Sequence, residues 1–193
     1  MTLRFPRAAA LCLMMLPAAC MMPQDKGAPE GVLPVMRWDH RPEAAEWTQA
    51  TLHALKDEGA VLSSTVPMDV AAFCPNYATA TPHERNSFWA GLFSAIAKYE
   101  STWNPAASGG GGRYLGLLQI SPQTARSAGC DLSQGGLKDG ASNLECAVRI
   151  ASRRADQGEP VAQITADWGP MHSAEKRAEM AAWTRKQSYC QQG

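Results

Sequence analysis

Glu100 is the side chain best placed in this sequence to do acid–base chemistry. Phe88, Leu92 and Ile96 recur every four residues, flanked by Trp89 and Phe93, so one face of a helix ending near residue 100 is built for burial. Glu100 is the next member of that series. A carboxyl group there meets the negative end of the helix dipole and apolar neighbours that remove water, and both disfavour its ionised form. Its pKa is therefore expected to rise from the reference of about 4.3. That costs stability, but it keeps a carboxylic acid protonated near neutral pH, ready to donate a proton. Two other placements are open to it: rotation into solvent, or pairing with Lys98, Arg113 or Arg126. The nearest candidate second acids are Asp131, Asp139 and Asp167, each in a loop or helix-end context where solvation or capping is the expected role.

The positioning elements read as mainly α. Thr81-Pro82-His83-Glu84 supplies a cap residue, a first-turn proline and an acid at the third helical position, predicting a helix from 82 to about 100. Glu43 to Glu58 is a helical candidate with Trp47, Leu52 and Leu55 on a narrow apolar stripe, and Gly59 is its stop. Residues 66–81 are loop-like. Ser108-Gly109-Gly110-Gly111-Gly112 forms a flexible loop, and Arg113 to Ser121 a strand or hairpin arm. Further helices are predicted over 122–127, with Ser121 as cap, then over 143–157, 161–167 and 173–186. Trp168-Gly169-Pro170 stops the third of these. There are no internal repeats.

The residues flanking Glu100 carry a family resemblance. Glu100-Ser101-Thr102-Trp103-Asn104-Pro105, then Gly116-Leu117-Leu118-Gln119-Ile120-Ser121-Pro122-Gln123-Thr124-Ala125, closely resembles the soluble lytic transglycosylase (SLT) domain. The family pattern runs Glu-Ser, Asn-Pro, Gly-Leu-Met-Gln and Pro-x-Thr-Ala; Leu118 replaces the Met, a volume-conserving exchange. Asn143-Leu144 is similar to the family's later Asn-Ile helix. The resemblance covers roughly 88–170 and implies a lysozyme-like, mainly α single domain with at most a small β hairpin. It also implies that Glu100 is the sole catalytic carboxylate, cleaving the MurNAc–GlcNAc β-1,4 bond of peptidoglycan. As an acid Glu100 would protonate the glycosidic oxygen while the substrate's N-acetyl carbonyl stabilises C1. As a base it would then take the proton of the C6 hydroxyl, which closes a 1,6-anhydro ring. Such substrate assistance departs from the two-carboxylate rule. Should an aspartate face Glu100 instead, a hydrolytic muramidase becomes available. A non-catalytic peptidoglycan-binding lipoprotein is the reading from a different class.

Ser101 and Gln119 match family positions that orient sugar groups, and Ser108 falls near the family's loop serine. Tyr114 is placed either along the cleft or in the core. One departure stands out. Where the family carries Ala-Tyr-Asn-Ala-Gly-Pro, this chain has Ala166-Asp167-Trp168-Gly169-Pro170, with Trp168 in the ring's place and Asp167 in the polar one.

Composition and the N-terminus set the compartment. Charge is balanced at 18 basic and 18 acidic residues, with no basic stripe, so nucleic acid is excluded as an expected partner. Arg4 and Arg7 precede an apolar run, Ala8 to Leu16, too short to remain as a membrane span. Leu16-Pro17-Ala18-Ala19-Cys20 resembles a lipobox with Pro17 where Leu is expected. The reading is a signal over 1–19, lipidation at Cys20, a Pro/Gly-rich tether over 20–42 and the domain over 43–193, its SLT-like core at about 83–170. This places the protein in the periplasm on the outer membrane, as a monomer held by a lipid anchor; ordinary signal cleavage to a soluble periplasmic or secreted form is the alternative. With Cys12 removed and Cys20 lipidated, Cys74, Cys130, Cys146 and Cys190 remain for disulfides. Of three possible pairings, Cys130–Cys146 with Cys74–Cys190 is favoured. The four histidines (His40, His53, His83, His172) are scattered, so neither a metal nor another cofactor is expected.

Overall fold

The computed structural model describes residues 1–2, 31–155 and 158–191. The signal, Cys20 and the tether as far as residue 30 lie outside the described residues. Seven α-helices appear among the described residues: α1 (Ala44–Lys56), α2 (Ala60–Ser64), α3 (Pro82–Glu100), α4 (Pro122–Ala128), α5 (Gly140–Ser152), α6 (Val161–Ile164) and α7 (Ala174–Thr184). Between α3 and α4 lies an antiparallel hairpin of β1 (Ser108–Gly109) and β2 (Tyr114–Leu115), with Ser108 opposite Leu115 and Gly109 opposite Tyr114. This is the mainly α, single-domain architecture expected from the sequence.

The hub is α3. Its first turn is closed by a reciprocal cap: Thr81 Oγ1 accepts from the Glu84 N–H at 3.3 Å, and Glu84 Oε2 accepts from the Thr81 N–H at 2.8 Å. Every residue from Asn86 to Ala97 is buried, so the helix is enclosed on its whole circumference, not on the one face that periodicity suggests. The reason is its neighbours: α1, α2 and α7 all pack on it, with short 3-10 turns filling the gaps. A helix in that position needs small residues between the large ones, and Ala90, Gly91, Ser94, Ala95 and Ala97 supply them.

Element boundaries differ from expectation where caps decide them. Asp139 starts α5 at Gly140 by accepting the Ser142 N–H at 2.8 Å, three residues before the expected start, and α5 ends at Ser152. Gly169-Pro170 opens a 3-10 turn, Gly169–His172, rather than only ending a helix. The short α2 was not expected.

The tether requires a larger correction. Met36 and Trp38 are 2% and 0% exposed, and the Trp38 indole N–H donates to Thr48 Oγ1 at 2.9 Å. The Arg37 N–H donates to Ser94 Oγ on α3 at 2.9 Å. The folded domain therefore begins before residue 43. In this strap Met36 and Trp38 sit in consecutive turns, with the Asp39 N–H donating to the Met36 carbonyl at 3.2 Å and the Arg41 N–H to the Trp38 carbonyl at 2.8 Å. Two core side chains are too few to register as a pattern beside the prolines.

Disulfides join Cys74 to Cys190 and Cys130 to Cys146. Among the described residues no helix is long and apolar enough to cross a membrane, and no cluster of three His, Cys, Asp or Glu could hold a metal ion.

Candidate active site

Glu100 is the last residue of α3, half-buried, where the helix leaves the core. Burial raises its pKa above the ordinary value, while the charge of Lys176 and the backbone N–H of Gly169 act in the opposite sense. The pairings open to it in the sequence are not made. Lys98 instead contacts Glu179 at 3.1 Å, and neither Arg113 nor Arg126 forms a salt bridge with it. The candidate second acids are all engaged elsewhere. Asp131 is exposed and accepts from the Ser133 N–H at 2.9 Å, Asp139 caps α5, and Asp167 pairs with Arg154. The named charge acting on Glu100 is thus cationic.

The backbone beyond Glu100 is strained. Thr102 and Trp103 have φ of 52° and 55°, and Gln119 has φ of 46°, all in the left-handed region that non-glycine residues avoid. All three fall within the two motif blocks that flank the hairpin. Such conformations persist only where surroundings over-determine them. Here Trp103 donates its indole N–H to the Ser94 carbonyl at 2.9 Å, and its ring meets His40 edge-on at 4.6 Å.

Gln119 is fixed from beneath by a buried amide. Asn143 Oδ1 accepts from the Leu118 N–H at 2.9 Å, while Asn143 Nδ2 donates to the Leu115 and Leu137 carbonyls at 3.0 and 2.9 Å. Gly116, at φ +79°, lies against this amide. A Cβ there would fall 2.0 Å from the Leu137 oxygen and 2.3 Å from Asn143 Nδ2. The turn also joins the Glu100 loop, because the Gly116 N–H donates to the Ala107 carbonyl at 3.0 Å. Gln119 Nε2 donates to the Gly116 carbonyl at 2.9 Å, and its Oε1 lies over Gly109 of β1.

Tyr114, Gln119, Asp167 and Trp168 line one small cleft. Tyr114 is 44% exposed, on the cleft side of the alternatives left open by the sequence. Ser101 turns its hydroxyl back to the Ala97 carbonyl at 3.3 Å and ends the helix, and Ser108 is exposed on β1. Trp168 and Asp167 need correction as sugar contacts. Trp168 is 2% exposed, meets Phe93 edge-on at 5.6 Å and donates its N–H to the Leu118 carbonyl at 3.0 Å, so it has no free face for stacking. Instead it braces the Gln119 turn against α3. Asp167 is bound through both oxygens by Arg154, with Nη2–Oδ1 at 3.2 Å. Glu100 adjoins this wall through Gly169, the residue after Trp168.

One cluster had no signal in the sequence. Glu179 on α7 accepts from Arg37, from Lys98 Nζ at 3.1 Å and from the Tyr99 hydroxyl at 2.8 Å, and its pKa is held down at about 2, chiefly by Arg37. The Tyr99 ring carries Lys98 and Lys176 at 5.1 and 5.2 Å from its centroid. This lattice ties the last turn of α3 to α7. Its members are separated by up to 142 positions, so no local motif announces it.

Residues 78–167 match the family described as the transglycosylase SLT domain. No curated protein matches the chain significantly. Among solved structures, a glutamate-to-glutamine mutant of Bd0314 DslA is 24% identical with a TM-score of 0.70, covering 83% of this chain and 100% of its own. Wild-type DslA (form 2) is 24% identical with a TM-score of 0.68, and a second glutamate-to-glutamine mutant is 23% identical with 0.67, both at the same coverage. At these identities the likeness is one of fold. Residues 78–167 are thus similar to the transglycosylase SLT domain, and the whole domain shares the fold of DslA.

Proposed function

We propose that the protein is a peptidoglycan lytic transglycosylase in which Glu100 acts first as acid and then as base. The observation that carries this reading is a half-buried carboxyl at the end of α3, its pKa raised by desolvation, with the candidate second acids Asp131, Asp139 and Asp167 engaged elsewhere. Protonated Glu100 donates to the glycosidic oxygen as the bond to C1 breaks, and the N-acetyl carbonyl of MurNAc bonds to C1. The C6 hydroxyl then attacks C1, displaces the carbonyl and loses its proton to Glu100, which returns to its starting form. No water is consumed. Lys176 and the Gly169 N–H favour the transient carboxylate, while desolvation favours the acid, so neither state is out of reach.

Gln119 and Tyr114 are the proposed sugar contacts; Ser101 and Ser108 flank them, and Trp168 acts by positioning. Digestion of purified sacculi with mass measurement of the products tests the assignment. Anhydro ends, one water lighter than reducing ends, are expected, and reducing ends would instead identify a muramidase. Sacculus binding without soluble fragments favours the non-catalytic reading, which the capture of Asp167 by Arg154 in the late motif keeps in play.

Export, lipidation at Cys20 and attachment at the outer membrane belong to the same proposal, as does action as a monomer. Labelling with a radioactive fatty acid should follow the wild type and disappear in Cys20→Ala.

A further inference from the structure

Beside the cleft, α4 and the C-terminal end of α5 flank a second, open cavity of about 340 Å³, lined by Thr124, Ser127, Ala128, Ile150, Arg153, Arg154 and Asp167. Thr124, Ile150 and Asp167 line both cavities, so a chain branching from a sugar in the first can reach the second across their shared rim. Two guanidiniums face one carboxylate here, leaving one net positive charge in a protein whose overall charge is balanced. Asp167 occupies Arg154. Among the described residues Arg153 engages only the Ser127 carbonyl, through Nη1, and a guanidinium carries five donors. Ala128 and Ile150 add an apolar wall. The cavity is thus suited to a small ligand with a carboxylate and short alkyl groups, and its volume is that of a ligand site rather than of a single ion.

Resting on the proposed function, we infer that this cavity holds the stem peptide of peptidoglycan, with Arg153 binding a stem carboxylate. The peptide leaves MurNAc through its lactyl ether, carries free carboxylates and is rich in alanine, which matches the cationic group and the small apolar wall. The lactyl carboxylate of a peptide-free MurNAc offers the same chemistry, but it lacks the bulk and methyl groups that the rest of the cavity accepts. Arg154 holds Asp167 at the rim and is a positioning residue, so Arg153 is the one to change.

The test compares initial rates on intact sacculi and on the same glycan stripped of peptides by an amidase, for the full-length wild type, Arg153→Gln and Arg153→Glu. Arg153→Gln should lose about tenfold on peptide-bearing glycan, the size of one charge-assisted hydrogen bond, and Arg153→Glu more, with both unchanged on stripped glycan. Equal losses on both substrates would assign the cavity to glycan, or Arg153 to folding, and overturn the inference. Unchanged rates on both would overturn it too. In each of these cases the wild type still cleaves glycan, whereas a wild type inert on both substrates would overturn the function on which the inference rests.

Discussion

Asn143 and Leu118 are joined by a 2.9 Å hydrogen bond from the Leu118 N–H to the Asn143 side-chain oxygen, and that bond holds the turn presenting Gln119. The same amide donates to two further carbonyls, so Asn143 holds three backbone groups of two separate loops. Asn143→Leu would strip the Leu118 N–H and the Leu137 carbonyl of this partner, while the Leu115 carbonyl would keep the Ile120 N–H at 2.9 Å. A loss of about 3 kcal/mol is expected from orphaned backbone groups, with activity falling in parallel. Chemical denaturation measures the first; a loss under about 1 kcal/mol would count against the clamp.

Gly116 and Gly129 make a matched pair. Both have positive φ, +79° and +73°, but a Cβ at Gly129 meets open space while one at Gly116 meets backbone oxygen at 2.0 Å. Gly129→Ala should cost about 1 kcal/mol, the strain of a left-handed alanine, and Gly116→Ala clearly more because the clamp must also move. Equal melting temperatures for the two variants would show that the close contact relaxes freely.

Glu100→Gln should keep the fold and lower turnover by about 10²- to 10⁴-fold, the usual contribution of a general acid–base group. Its stability should respond to pH in a definite sense. A carboxyl whose folded pKa is raised contributes stability that is present below its unfolded pKa and lost as pH rises through the folded value. At neutral and alkaline pH the glutamine variant should therefore melt at or above the wild-type temperature. Undiminished muropeptide release by this variant would remove Glu100 from the mechanism.

Lys176 lowers the pKa of Glu100, so Lys176→Met should raise it further and move the alkaline limb of the rate profile to higher pH. A limb that stays put, or moves down, refutes that role.

Glu179 provides the opposite case. Its pKa is held at about 2, so the stability it contributes is present above its ordinary value near 4.5 and lost as pH falls from there towards 2. The group is partly exposed and the effect is correspondingly discounted for screening. Acid titration of Glu179→Gln should show a flatter stability profile over that window than the wild type.

Much of the scaffold was legible because its signals are local. Thr81-Pro82-His83-Glu84 announces α3, and its end at Glu100 follows from the same periodicity. Ser121 announces α4 in the same way, accepting the Thr124 N–H at 3.0 Å. What escaped is long-range. The Asn143 clamp spans 25 to 28 positions to Leu118 and Leu115, and the Glu179 lattice reaches back to Arg37. Asp167 and Trp168 were read by analogy of position. Their surroundings decide otherwise: a nearby guanidinium captures the acid, and Phe93 with the Leu118 carbonyl draws the indole inward.

The strap has a mechanical consequence. Met36 and Trp38 plug the core, Arg37 grips Glu179, and the Tyr189 hydroxyl donates to the Val35 carbonyl at 3.2 Å, one residue before the cysteine bonded to Cys74. Tension applied upstream of residue 35 would thus be shared among α3, α7 and a covalent cross-link instead of peeling away one helix at a time. Under such a load the turn presenting Gln119 and the end of α3 would stay in register until the whole domain gave way.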